Sequence, residues 1–175
     1  MRSMVMISMA AAVAAWSLPV QAAPMTWGCD TAAGRFSAIE LEVPAAGFEV
    51  GGTITPNEFR KDASWAPGAW VRIETADGQN AAEVRYLGGP PKTKEGLVTL
   101  SGKIAGAERK GDPQLSALSQ PVAFAIRVTG PGEVFLMAGE QKAKLPVAMG
   151  DRVKLTAACS TGDFVFTNLE WKSAP

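Results

Sequence analysis

The chain predicts an all-β fold, an antiparallel sandwich forming one domain behind an N-terminal export signal. Three observations carry this. Apolar residues recur with period two in about ten short segments, the mark of half-buried strands. Turn-forming clusters punctuate these segments every ten residues or so. No segment after the first 22 residues sustains a helical apolar stripe.

The first element is the signal, residues 1–22. Arg2 gives a positive start, Met4 to Leu18 is almost wholly apolar, and Pro19 breaks the run. Val20-Gln21-Ala22 then places small residues where a signal peptidase reads them. The apolar run is shorter than the roughly 20 residues of a spanning helix, so the expectation is cleavage after Ala22 and export to the periplasm or beyond. The remaining domain, residues 23–175, has no second apolar run of spanning length, and no membrane insertion of the mature chain is expected.

The strands follow in order. Ile39, Leu41 and Val43 share a face opposite Glu40 and Glu42. Phe48, Val50 and Ile54 form the next strand. Val71 and Ile73 alternate with Trp70, Arg72 and Glu74, and Val84 and Tyr86 with Glu83 and Arg85. Val98, Leu100 and Ile104, then Val122 to Val128, then Val153 to Cys159, and finally Phe164 and Phe166 continue the pattern. Asp77-Gly78, Gly88-Gly89-Pro90-Pro91, Gly130-Pro131-Gly132 and Gly150-Asp151 supply turn chemistry between them. Residues 105–120 form the longest polar excursion and read as a surface loop, with one or two helical turns at most around Pro113 to Leu118.

Charge and cysteine content bound the function. Lysine plus arginine and aspartate plus glutamate both number 17, and loss of Arg2 with the signal leaves the domain at about minus one. A near-neutral surface excludes nucleic acid and anionic membrane as the main partner, because both demand a basic footprint. The chain holds two cysteines, Cys29 and Cys159, near the two ends of the exported portion. In an oxidising compartment they have one intramolecular pairing, and a disulfide is the expectation.

The chain contains no histidine. That excludes Ser-His-Asp and Cys-His catalysis and histidine-bound zinc or copper. Chemistry pairing tyrosine with histidine is disfavoured as well, since the one tyrosine, Tyr86, reads as buried. Asp77, Asp112, Asp151 and Asp163 stand in turns without the spacing of an oxygen-ligand loop. No metal site and no cofactor are expected.

A family resemblance rests on the strand sequence Phe124–Val128, Gly132–Leu136, Lys142–Leu145, Asp151–Leu155 and Phe164–Trp171, with Ala66–Ile73 earlier. This order resembles the closing and middle strands of the concanavalin A-like and laminin G-like jelly rolls. The resemblance implies a jelly-roll sandwich, and a superfamily that includes lectins, adhesion modules, glycoside hydrolases and polysaccharide lyases.

Two constellations could carry chemistry. Exposed aromatics beside polar groups suit the apolar faces of sugar rings. With Val71 and Ile73 facing the core, Trp70 faces outward beside Arg72 and Glu74. Trp65, Phe59 and Arg60 stand just upstream. The competing account places these tryptophans over a core edge. Glu40 and Glu42 form the other constellation, projecting from one strand face about 7 Å apart along it. They could act as a carboxylate pair in glycoside hydrolysis. Laminarinase-like sandwich hydrolases carry Glu-x-Asp-x-(x)-Glu on a strand, and Ile39–Val43 lacks the central aspartate. Three functions follow: a non-catalytic lectin-like domain binding a glycan or cell-envelope polymer, a glycoside hydrolase using Glu40 and Glu42, or a structural, protein-binding envelope component.

Overall fold

A computed structural model describes residues 23–89 and 93–173. The expected signal, residues 1–22, and the Pro90-Pro91 part of one turn lie outside the described residues. The elements are all strands: β1 (Met25–Pro44), β2 (Glu49–Phe59), β3 (Gly68–Glu74), β4 (Ala81–Gly88), β5 (Glu95–Ile104), β6 (Ala107–Lys110), β7 (Gln114–Ala117), β8 (Val122–Gly130), β9 (Glu133–Ala138), β10 (Gln141–Leu145) and β11 (Arg152–Lys172). Among the described residues there is no helix, and none long and apolar enough to cross a membrane.

Every pairing is antiparallel. The hydrogen-bonded order is β10-β9-β8-β2-β11-β3-β4-β5-β6, with β1 on β11 and β7 on β5. The long strands β1 and β11 make this continuous ladder into two layers. The first part of β11, to Ser160, pairs with β3; the part from Gly162 onward pairs with β2. β1 follows β11 through the same bend, with a register break between Thr31 and Phe36. One layer therefore holds β2, β8, β9 and β10, and the other β3 to β7, with the β1–β11 ribbon crossing from one to the other.

The bend has a local cause. Thr161 sits at φ 52°, a left-handed conformation that is costly for a β-branched residue. It is fully buried, its Oγ1 accepts from Gly34 N at 3.3 Å, and its carbonyl accepts from Arg60 N at 3.0 Å. These bonds hold the strained turn in place.

The core fills the space between the layers. Phe48, Ile54, Phe124, Ile126, Leu136, Phe164 and Phe166 come from one side, and Val71, Ile73, Val84, Tyr86 and Leu100 from the other. The period-two expectation for β3 holds: Val71 and Ile73 are fully buried, while Trp70, Arg72 and Glu74 are partly exposed. Tyr86 is buried as expected and donates its hydroxyl to the Ser116 carbonyl at 3.1 Å. Gly96 opposite must lack a side chain, since a Cβ there would stand 2.5 Å from the Tyr86 ring.

Two expectations are corrected. The segment 105–120 is not a loop: it contributes β6 and β7, which continue the layer beyond β5. The suggested helical turns at Pro113 to Leu118 are replaced by β7, because Leu115 and Ser116 alternate exposed and buried beside β5.

Cys29 and Cys159 form the expected disulfide, with Cα atoms 6.1 Å apart. Trp27 stacks on Phe166 at 5.0 Å, and Trp27 and Trp171 both pack against the core. The end tryptophans are structural.

Candidate functional site

The outer face of the β3-to-β7 layer collects most of the side chains singled out from the sequence. Register fixes their layout, in rows that run across the strands about 7 Å apart, twice the rise per residue. One row is Ala38, Ala158, Trp70, Arg85 and Thr99. The next is Glu40, Thr156, Arg72, Glu83, Ser101 and Lys110. The third is Glu42, Lys154, Glu74, Ala81, Lys103 and Glu108.

Glu83 is the centre of this face and is only 4% exposed. A carboxylate so buried needs charged partners, or its desolvation would be prohibitive. Arg85 Nη2 donates to its Oε2 at 3.0 Å, Ser101 Oγ donates to its Oε1 at 3.4 Å, and Arg72 Nη1 lies 3.6 Å away. Arg72 Nη2 also donates to Glu74 Oε1. The Arg85 guanidinium stands 5.5 Å from the Trp70 ring centroid, in cation–π range. Sequence alternation placed Trp70, Arg72 and Glu74 here. It gave no reason to single out Glu83 and Arg85, whose importance comes from cross-strand register.

The network is incomplete. Arg85 Nε lies 2.7 Å from Glu83 Oε1, but its N–H does not point at that oxygen, and the donor is buried without a hydrogen bond. Arg72 Nε is likewise buried and unbonded. Two donors left unmade around one carboxylate form a network that a further acceptor can rearrange.

Above this floor lies a groove of about 510 Å³, bounded by Arg72, Glu83, Arg85, Leu87, Thr99 and Lys110, with Gly111 and Pro113 at its edge. Of the charged residues lining it, Arg72, Arg85, Lys103 and Lys110 outnumber Glu83 and Glu108.

The other expected residues lie apart from this floor. Phe59 is the last residue of β2 and turns inward: its ring lies 6.0 Å from Tyr86 and 6.2 Å from Phe164. This corrects its placement on a binding surface, because contact with the core holds the ring. Arg60 is bound to Asp30 and Glu58, hydrogen bonds that raise its already high pKa further. It ties the β2 exit to β1 and does not reach Trp70's row. Trp65 is exposed in the loop after β2 and stacks on Phe36 at 6.1 Å, with planes 11° apart. Phe36 was not expected; its outward position follows from the register break in β1.

Glu40 and Glu42 project from the outer face as expected, and both are well exposed. Each is paired with a cation of β11, Glu40 with Lys154 at 3.5 Å and Glu42 with Arg152 at 3.8 Å. Among the described residues no group of three or more cysteine, aspartate or glutamate side chains is placed to hold a metal.

No family model matches the chain, and no curated protein matches it by sequence. Solved structures do. A polysaccharide lyase of family 18 matches with a TM-score of 0.60 at 10% identity, covering 86% of this chain and 88% of that one. The CBM2 module of the evolved Dit of Lactobacillus casei BL23 phage J-1 matches with a TM-score of 0.57 at 10% identity, over 87% of this chain and 75% of that one. An alginate lyase of Alteromonas sp. 272 matches with a TM-score of 0.56 at 10% identity, over 78% and 79%. The chain has the jelly-roll β-sandwich fold of these structures. That jelly roll is the sandwich expected from the sequence, and at such identities the likeness extends to fold alone.

Proposed function

We propose that the chain is an exported, non-catalytic glycan-binding domain, and that its binding surface is the groove lined by Arg85, Glu83 and Arg72 together with Trp70, which stands outside the lining against Arg85. The observation that carries this reading is the Trp70–Arg85 pair beside the buried Glu83 carboxylate, with the Nε donors of Arg85 and Arg72 left without a hydrogen bond. An aromatic ring offers a flat apolar surface to a sugar, and the guanidinium groups offer donors to its hydroxyls or carboxylates. The excess of cations along the groove favours an acidic sugar. A named carbohydrate-binding module and two named lyases among the structural neighbours support the reading, as does the disulfide, which suits an oxidising compartment.

Binding is favoured over hydrolysis by the carboxylates themselves. Glu40 and Glu42 stand in solvent, each held by its own cation, and neither borders the groove. Tyr86, the one tyrosine, is sealed in the core, where burial raises its pKa.

Titration of purified domain against a panel of neutral and acidic polysaccharides tests this. Trp70→Ala is expected to lower affinity for the bound polymer at least about tenfold, the scale of one lost aromatic contact. No binding across the panel would leave the structural, protein-binding role instead, and undiminished binding by Trp70→Ala would place the glycan surface away from Trp70.

A further inference from the structure

The row next to Trp70 differs in kind from the other three. It runs Phe36, Ser160, Gly68, Leu87, Leu97, Leu115. The large hydrophobic side chains exposed among the described residues are Phe36, Trp65, Leu97 and Leu115, at 61%, 44%, 36% and 68%. All four belong to this row or stack on it. The middle of the row, where Ser160 and Gly68 offer no apolar surface, is bridged by the loop after β2. Ser160 Oγ donates to the Ala66 carbonyl at 3.1 Å, which lays the exposed Trp65 and Ala66 beside the middle of the row, while Pro67 after them is buried.

We infer that this strip takes the hydrocarbon chain of an acylated acidic glycan whose sugar occupies the adjoining groove. The inference rests on the glycan-binding reading above and extends it to the ligand's lipid part. Shape argues for it. The row crosses six strands, about 24 Å at the usual strand spacing of about 4.8 Å, yet it is one residue wide. A stable dimer buries about 800 Å² on each partner around a two-dimensional apolar centre, and a strip about 7 Å wide does not provide one. A single extended chain matches it. Position argues for it too: Leu87 and Leu97 line both the strip and the groove, so apolar and polar parts of one ligand would lie side by side. Charge completes the match, since the groove's surplus cations suit an acidic headgroup.

The test is calorimetric titration of the purified domain with butyl and decyl β-glucuronide, both below their micelle concentrations, and with decyl maltoside. Partial burial of each methylene gives about a twofold gain, so decyl should bind at least about tenfold more tightly than butyl. Phe36→Ser/Leu115→Ser, at two residues of the row that do not line the groove, should flatten that dependence and leave butyl glucuronide binding unchanged. Both side chains point outward, so unfolding should not accompany the change, and thermal melting checks this. Trp70→Ala should weaken butyl and decyl glucuronide by the same factor. Equal affinity for butyl and decyl glucuronide in the unmutated domain overturns the lipid assignment while leaving polysaccharide binding intact. Equal affinity for decyl maltoside and decyl glucuronide overturns the acidic headgroup. A concentration-dependent dimer abolished by the double variant, without chain-length dependence, assigns the strip to a second copy. Failure of every glycan, polysaccharide panel included, sinks the underlying reading as well.

Discussion

Cys29 and Cys159 are bonded to each other although neither is the other's partner in the β1–β11 ladder. Cys29 lies opposite Phe164, and Cys159 lies opposite Ser37. The bond therefore spans the bend, linking the stretch of β1 that belongs to one layer to the stretch of β11 that belongs to the other. Ladder hydrogen bonds hold the two strands side by side, but they do not set the angle between the layers. The disulfide and the strained Thr161 turn lie together at the point where that angle is made.

Removing the disulfide should consequently destabilise the domain without abolishing its strands. The cysteines are 130 residues apart, and closing so long a loop stabilises by about 5 kcal/mol in the chain-entropy model. Cys29→Ser/Cys159→Ser is expected to lose about 2–5 kcal/mol in urea unfolding, with its β circular dichroism retained in the absence of denaturant. A loss below about 1 kcal/mol would mean that the ladder alone fixes the bend.

Glu83 offers a second check. Glu83→Gln keeps the shape but leaves Arg72 and Arg85 without their shared counter-charge. Both arginines retain contact with solvent, their side chains being 25% and 39% exposed, so the full penalty of a broken buried pair does not apply. The expected cost is about 1–3 kcal/mol. The Trp70–Arg85 contact should loosen with it, so tryptophan emission should shift in the folded variant. An unchanged midpoint and spectrum would mean that the network does not organise this face.

Strand identity was legible in the sequence because one side of each strand is buried, and burial imposes period two. β3 shows it residue by residue. The short strands β6 and β7 were not legible: β6 is exposed along its whole length, so no face of it needed apolar residues. The site was half legible for a related reason. Alternation sends Trp70, Arg72 and Glu74 outward, but it cannot say that Arg85 and Glu83 stand beside them, because register between strands lies outside any single strand's pattern. Phe59 misled for the opposite reason: at a strand end, proximity to Trp65 in sequence says nothing of which side the ring takes.

Stability should be flat near neutral pH and fall in acid. With no histidine, no side chain of ordinary pKa titrates between about pH 5 and 8. Below that range two carboxylates matter. The Asp77 pKa is held down by a hydrogen bond from Thr75 Oγ1 and by the Gln79 amide, and that of Glu133 by Lys144 and then Thr129. A pKa depressed by folding gives stability that is present above the unfolded value and lost as pH falls through the folded one. The urea midpoint should therefore hold from about pH 5.5 to 8 and drop below about pH 4. Asp77→Asn should make the acid limb shallower. A marked step between pH 6 and 7 would contradict this.

Glu40 and Glu42 give the sharpest separation of binding from hydrolysis. Their positions opposite Thr156 and Lys154 put them at the ribbon's edge, exposed and ion-paired, away from the groove lining. Exposed pairs contribute about 0–1 kcal/mol. Glu40→Gln/Glu42→Gln should therefore unfold within about 1 kcal/mol of the unmutated domain and bind polysaccharide with the same affinity. If this surface were hydrolytic, prolonged incubation with the bound polymer would release reducing ends, and the double variant would stop it. The expected result is no release from either protein, because a carboxylate pair needs a substrate bond held between its members. These two stand along one strand, facing open water.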